Sequence, residues 1–151
     1  MSNRLGMAGL GLAVVVGLLV SGCASVPMAP TPADTEGKTF VVKPDKASIY
    51  LYRNETFGGA IAMTVTLDGK VAGRTGPQTY FLWEVDPGPH EVASHAENVE
   101  TLKFDTEAGK AYYVWQEVKM GMWMARSRLQ LMDEAAGRQG VAECKRAQSA
   151  F

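Results

Sequence analysis

Apolar and polar positions follow three regimes along the chain. From Leu5 to Val20 every position is apolar or glycine and no charge interrupts the run. From Ala24 to Pro44 the pattern is broken by Pro27, Pro30, Pro32 and Pro44, and no period is sustained before Phe40-Val41-Val42, which suggests a first short strand. From Lys46 onward the period is close to two. Ile61, Met63, Val65 and Leu67 alternate with Ala62, Thr64 and Thr66, and Phe81, Trp83 and Val85 alternate with Leu82 and Glu84. A period of two sends successive side chains to opposite faces of a sheet, so these runs predict half-buried strands. Similar runs cover Ala47–Arg53, His90–Ala96, Thr101–Asp105, Ala111–Met120 and Arg126–Met132. About seven short strands at this spacing predict an all-β domain over 45–151, an antiparallel β-sandwich or partly open barrel.

The breaks between strands carry turn chemistry. Asp68-Gly69 suits a primed two-residue hairpin, Asp86-Pro87-Gly88-Pro89 forces a reversal, and Glu107-Ala108-Gly109 offers a glycine for positive φ. Helix is expected only at the end: one turn capped by Asp133 and another over Val141–Ser149.

The first regime has the form of an export signal. Arg4 precedes the apolar run, which is shorter than the ~20 residues of a membrane-spanning helix and is weakened by internal glycines. It ends in Leu19-Val20-Ser21-Gly22-Cys23, which resembles the bacterial lipobox. The resemblance implies a signal peptide over 1–22, cleavage before Cys23, and a diacylglyceryl (with N-acyl palmitate-type) anchor on that thiol. Two or three acyl chains hold a protein on a bilayer where one binds marginally. Ala24 after the cysteine resembles the default signal for the outer membrane, so the expected location is the cell envelope, facing the periplasm. Residues 23–44 are then expected to form a flexible tether, whose proline-containing chain reaches ~65 Å if fully extended as polyproline II.

Composition narrows the function classes. Fifteen basic residues against sixteen acidic ones, a net charge of −1 and a pI near 6.1 supply no basic face for nucleic acid. An apolar content of 46% against 21% charged is too hydrophobic for a disordered chain. Two cysteines cannot form a zinc-ribbon framework, and only two histidines leave little material for a buried metal cage. With Cys23 lipidated, Cys144 has no intramolecular partner. Its spacing with Val141, Gln148 and Phe151 suggests a buried helical face, the alternative being an exposed thiol that pairs between molecules.

Three groups of residues are candidate sites. His90 and His95 are five apart in a strand pattern, which places them on opposite sides of a sheet and not in a helical zinc-protease arrangement. Met120, Met122 and Met124 flank Trp123 in a Met-rich string whose thioethers suit Cu(I), although flexible methionines also serve as ordinary packing. Tyr113 and Trp115 share one strand face, read equally well as an exposed binding stripe or as core covered by the C-terminal segment. No Gly-x-Ser-x-Gly elbow, phosphate loop or informative pair of carboxylates is present, so neither an enzyme nor a cofactor is expected.

One family resemblance spans most of the strand-rich region. Ser48-Ile49-Tyr50-Leu51-Tyr52-Arg53-Asn54, Val65-Thr66-Leu67-Asp68-Gly69-Lys70, Val85-Asp86-Pro87-Gly88-Pro89-His90-Glu91-Val92 and Gly109-Lys110-Ala111-Tyr112-Tyr113-Val114 occur in that order. Together they resemble the small bacterial lipoprotein family known as domain of unknown function 2846, and more loosely surface-layer sandwich modules with a Pro-Gly-x-His turn. These motifs are turn and strand features and imply a fold without handing over catalytic residues. The combined expectation is a lipid-anchored binding or envelope-assembly module. It would meet the membrane through Cys23 and an envelope protein or glycan through Tyr113, Trp115 or Trp123. A periplasmic copper protein using Met120, Met122 and Met124 is the alternative.

Overall fold

The computed structural model describes residues 25–151. The signal segment and Cys23 lie outside the described residues. In chain order the elements are α1 (Thr31–Gly37), β1 (Ala47–Arg53), β2 (Met63–Leu67), β3 (Lys70–Thr75), β4 (Thr79–Val85), β5 (Gly88–His95), β6 (Val99–Thr106), β7 (Ala111–Lys119), β8 (Arg126–Met132), α2 (Glu134–Ala142) and β9 (Lys145–Arg146).

The strands form two sheets, β8-β7-β1-β4-β9 and β3-β2-β5-β6. Ile49, Leu51, Val65, Leu67, Phe81, Trp83, Val92, Val114 and Leu129 fill the space between them. The all-β sandwich is therefore as expected. Its larger sheet is mixed, because β1 pairs β7 in parallel and β4 pairs β9 in parallel while the remaining pairs are antiparallel. The parallel pairing of β1 and β7 is possible because a long stretch of chain, β2 to β6, separates them in sequence, as a parallel pair requires.

Strand β1 is buried along its whole length. Its even side chains explain why: Tyr50 and Tyr52 leave the sandwich core and join Tyr80, Tyr113 and Phe40 beneath α1, α2 and Cys144. The Tyr50 and Tyr113 rings stack with centroids 5.2 Å apart, and the Phe40 ring tilts against Tyr50 at 5.5 Å. A layer of helix and extended chain thus covers the outer face of the larger sheet.

Two strands are absent from the hydrophobic pattern. Strand β3 has only Val71 and Ala72 as sizeable apolar positions, and Val71 faces solvent, so no alternation marks it. Gly73, at φ 152°, lets the Phe81 ring and the Gln148 carbonyl approach to within 3.0 and 3.2 Å of where a Cβ would stand. Strand β9 has two residues, too few for any period. Between β2 and β3, Asp68 and Gly69 both have positive φ (50° and 78°), as a primed hairpin turn requires.

The expected linker is different from residue 25 onward. Met28 bridges Ala147, Ala29 N–H donates to the Arg146 carbonyl at 3.0 Å, and Gln148 N–H donates to the Pro27 carbonyl at 2.9 Å. Val26 is buried in the main core. The prolines that read as a linker serve a helix instead. Pro30 is the N-cap of α1 and Pro32 lies in its first turn, where a missing N–H leaves nothing unpaired. The helix then locks onto the tyrosine layer, with Tyr50 Oη donating to the Gly37 carbonyl at 2.9 Å and Tyr80 Oη to the Asp34 carbonyl at 3.2 Å. Phe40 is not in a strand. Its φ of 56° turns the chain so that its ring enters the tyrosine layer.

At the other end, Asp133 caps α2 by accepting the Ala136 N–H at 2.9 Å, as expected. The second helical turn over Val141–Ser149 is not formed, because α2 stops at Ala142 and the chain straightens into β9. Cys144 is buried nonetheless. Burial pushes its thiol up to about 12, so it stays protonated and unreactive at neutral pH.

Candidate functional site

Strands β1 and β7 run in parallel and finish at the same end of the sandwich, where two loops follow them. Residues 54–62 leave β1, and residues 120–125 join β7 to β8. Each loop is held by a different polar device.

The first device is Arg53, the last residue of β1 and wholly buried. Its Nη1 donates to the Ile61 carbonyl and its Nη2 to the Gly58 carbonyl, both at 2.8 Å. A planar fork offers two carbonyls of one loop separate donor atoms at a fixed spacing, whereas an ammonium donates from a single nitrogen. Burial lowers the Arg53 pKa and nearby Glu55 opposes the shift.

The second device is Glu97, in the turn between β5 and β6. Its carboxylate accepts three successive backbone N–H groups, from Met122 at 3.1 Å and from Trp123 and Met124 at 2.8 Å each. These bonds, the Met124 N–H foremost, pull its pKa down to about 2. Gly121 is required by the tight path of this loop: a Cβ there would stand 1.9 Å from the Met124 carbonyl oxygen. Next door, Asn98 exchanges two bonds with the Ser127 backbone, accepting its N–H at 2.9 Å and donating to its carbonyl at 2.8 Å.

Beneath both loops a buried polar chain crosses the sandwich. Thr75 Oγ1 donates to Gln116 Oε1 at 2.6 Å, Gln116 Nε2 to Ser94 Oγ at 2.6 Å, and Ser127 Oγ to Ser94 Oγ at 2.7 Å. Every member has a partner, so the network fixes the mutual position of β3, β5, β7 and β8 without an unpaired polar group.

On this fixed base the loops present an apolar surface. Trp123 is 87% exposed, Met122 80%, Met120 77%, Met124 55% and Phe57 50%. They border a shallow groove of about 330 Å³. Single exposed apolar residues are ordinary, but here five are gathered on one loop pair.

The other sequence candidates lie elsewhere. Tyr113 does face away from the sandwich core, but α2 covers it and Trp115 is half-buried, so the aromatic stripe is not an open face. The cover is close because Gly137 and Gly140 face the rings: a Cβ at those positions would lie 2.2 Å from Tyr113 Cγ and 2.1 Å from Tyr52 Cε2. His90 ties two turns together, its Nδ1 lying 2.7 Å from an Asp68 carboxylate oxygen and its Nε2 2.7 Å from the Asp86 carbonyl. Burial works against its charged form, but the bonds to Asp86 and Asp68 outweigh it and hold the pKa above its ordinary value. His95 is exposed at the end of β5. Among the described residues no group of three His, Cys, Asp or Glu side chains is placed to hold a metal ion. Met120, Met122 and Met124 share one loop with Trp123, all turned to solvent.

Sequence reasoning missed Arg53, Phe57, Glu97 and Asn98. Arg53 sits in an apolar strand, and its position as the one charge there was the available signal. Nothing in the order of residues marks Glu97, which lies 25 to 27 positions before the amides it holds.

The Glu97 contacts predict an acid sensitivity. A carboxylate whose folded pKa is depressed contributes stability that is complete above its unfolded value near 4.5 and is lost as the pH falls toward about 2. The Glu97→Gln variant is expected to melt below the parent at pH 7, with the gap between the two thermal midpoints shrinking between pH 4.5 and pH 2. A gap independent of pH would assign the loss to something other than the charge.

The profile of the family described as "Protein of unknown function (DUF2846)" matches residues 43–127. The chain belongs to this family. The DUF2846 match begins just before β1 and ends just inside β8, so it contains Arg53, Glu97 and both loops, while α1, α2 and β9 lie outside it. The chain is also similar to an "Uncharacterized protein" of Haemophilus influenzae (strain ATCC 51907 / DSM 11121 / KW20 / Rd), 30% identical over 137 residues that cover 89% of this chain and 81% of that protein.

Proposed function

We propose that this DUF2846 chain is a lipid-anchored module of the bacterial cell envelope that works by contact and not by catalysis, its contact surface being the apolar loop pair around Trp123. The observation that carries the reading is the exposure of Trp123, Met122 and Met120 on loops that Arg53 and Glu97 hold fixed. A preordered apolar surface binds without the cost of ordering its own loops. The lipobox resemblance of Val20-Ser21-Gly22-Cys23 supports attachment through Cys23. The engagement of His90 by Asp68 and Asp86, and the burial of Cys144, support a role without general-base or nucleophilic chemistry.

The anchor is tested by fractionation of full-length protein in a bacterial host. The parent is expected to stay with membranes through a high-salt wash, because each buried acyl methylene contributes about 0.8 kcal/mol. Cys23→Ala is expected to accumulate as precursor or to leave with the soluble fraction. A processed Cys23→Ala product retained as firmly as the parent would refute lipid attachment at this residue.

A further inference from the structure

The apolar loops and the start of the docked chain occupy the same end of the molecule. Ser25 lines one cleft of about 430 Å³ together with Pro77, Gln78 and Thr79, in and just after the turn from β3 to β4. Pro77 in turn lies against loop 54–62, its Cγ 3.7 Å from where a Cβ on Gly59 would stand. Gly58 of that loop meets Ala125 in the same way, at 3.7 Å. Ser25, Pro77, loop 54–62 and the Trp123 loop are therefore neighbours in that order along one end of the sandwich.

Cys23 precedes Ser25 by two residues, which span at most about 7 Å even when fully extended. The docking of residues 25–44 removes the long tether that would otherwise hold the domain away from a bilayer. If Cys23 bears lipid, the end of the domain carrying Trp123 stands at the level of the headgroups. We infer that the occupant of the apolar loop surface is the bilayer to which Cys23 is attached, with Trp123, Met122 and Phe57 inserted at its interface. This rests on the lipid-anchor reading above and adds to it a second point of attachment, which fixes the orientation of the domain.

The chemistry of the loops suits that occupant. Tryptophan concentrates at membrane interfaces because its ring is apolar while its N–H remains hydrated. Methionine adapts to an irregular surface. Lys119 and Arg126 flank residues 120–125, both solvent-exposed and each paired with a carboxylate, Glu117 and Glu97, so the apolar residues and not a basic rim carry the fit. The loop is also ready-made, since Glu97 holds it through three backbone amides.

The test uses the full lipidated protein reconstituted into phosphatidylethanolamine–phosphatidylglycerol vesicles with brominated acyl chains. Trp83 is buried within the sandwich and Trp115 is half-buried beside α2, so Trp123 is the residue that can reach bromine. Bromolipid is expected to quench part of the tryptophan emission, and that part is expected to be shielded from aqueous iodide. Trp123→Ser, a change at an 87% exposed side chain that the fold does not use, is expected to abolish the bromolipid-sensitive part. Vesicle-bound parent protein whose Trp123 is quenched by iodide and untouched by bromolipid would overturn the insertion while leaving the anchor in place. Shielding from both quenchers would also overturn it, and would point to a second copy of the chain on the loops. Failure of the parent to remain with vesicles would instead remove the anchor reading, and the insertion with it.

Discussion

Replacing Gly140 with alanine is expected to destabilise the protein by about 1–3 kcal/mol, the usual cost of an overpacked interior. The direction is not obvious from helix propensity, which favours alanine over glycine in a helix interior by about 1 kcal/mol. Packing decides against it. The new methyl carbon would stand 2.1 Å from Tyr52 Cε2 and 2.7 Å from Cζ, and Tyr52 belongs to the central strand of the larger sheet, 3% exposed and without room to yield. Helix α2 would have to lift. Gly137 makes the same demand against Tyr113, so the double variant Gly137→Ala/Gly140→Ala is expected to detach α2 altogether. Lifting uncovers Cys144, which belongs to the same buried cluster and whose thiol lies 3.2 Å from the Gly140 carbonyl. The expected readout is a thermal midpoint lowered by several degrees together with faster reaction of Cys144 with a thiol reagent. Equal or greater stability of Gly140→Ala would mean that α2 does not lie on the tyrosines as described.

The second large effect is expected at Arg53. Arg53→Met keeps most of the side-chain volume and removes the donor fork, so the loss reports the two bonds to the Gly58 and Ile61 carbonyls. Hydrogen bonds to a charged group contribute about 1.5–3 kcal/mol each, but removing a buried guanidinium also relieves its desolvation, and the net expectation is a loss of about 2 kcal/mol. Arg53→Lys is expected to recover only part of it, because one ammonium cannot serve both carbonyls with the same geometry. Loop 54–62 should respond more than the sandwich: its amides are expected to exchange with solvent much faster, while those of β1 and β7 keep their protection. Unchanged exchange in 54–62 would show that the fork does not hold the loop.

Legibility in the sequence followed the length and amphipathicity of each element. Strands β1, β2, β4, β7 and β8 combine alternation with bulky residues and were readable close to their bounds, because one face of each must enter the core between the sheets. Strand β1 hid a second message: its tyrosines fall on the face away from that core, and alternation does not say what lies on that face, which α1 and α2 close over. Helix α1 was invisible for a different reason. Its residues Thr-Pro-Ala-Asp-Thr-Glu-Gly have no apolar stripe, and it is held by tyrosine hydroxyls reaching its backbone from strands that come later in the chain. The candidate site was half readable. The Met-Gly-Met-Trp-Met string stood out by composition, and Trp123 is the exposed member of the aromatic set, while Tyr113 is not. What fixes the string in place, Glu97, comes from a distant turn through backbone amides that no side-chain pattern encodes.

The pairing of residues 27–29 with 146–148 has a mechanical meaning. Any pull transmitted from the N-terminal side enters the described domain at Ser25 and meets the Gln148–Pro27 and Ala29–Arg146 bonds, which lie beside β9 and through it β4. Those bonds and the burial of Val26 share the load, and the chain's last residues thereby act as the clamp for its first ones. The domain's resistance to being drawn away from a surface is set at this seam before the sheets behind it are strained.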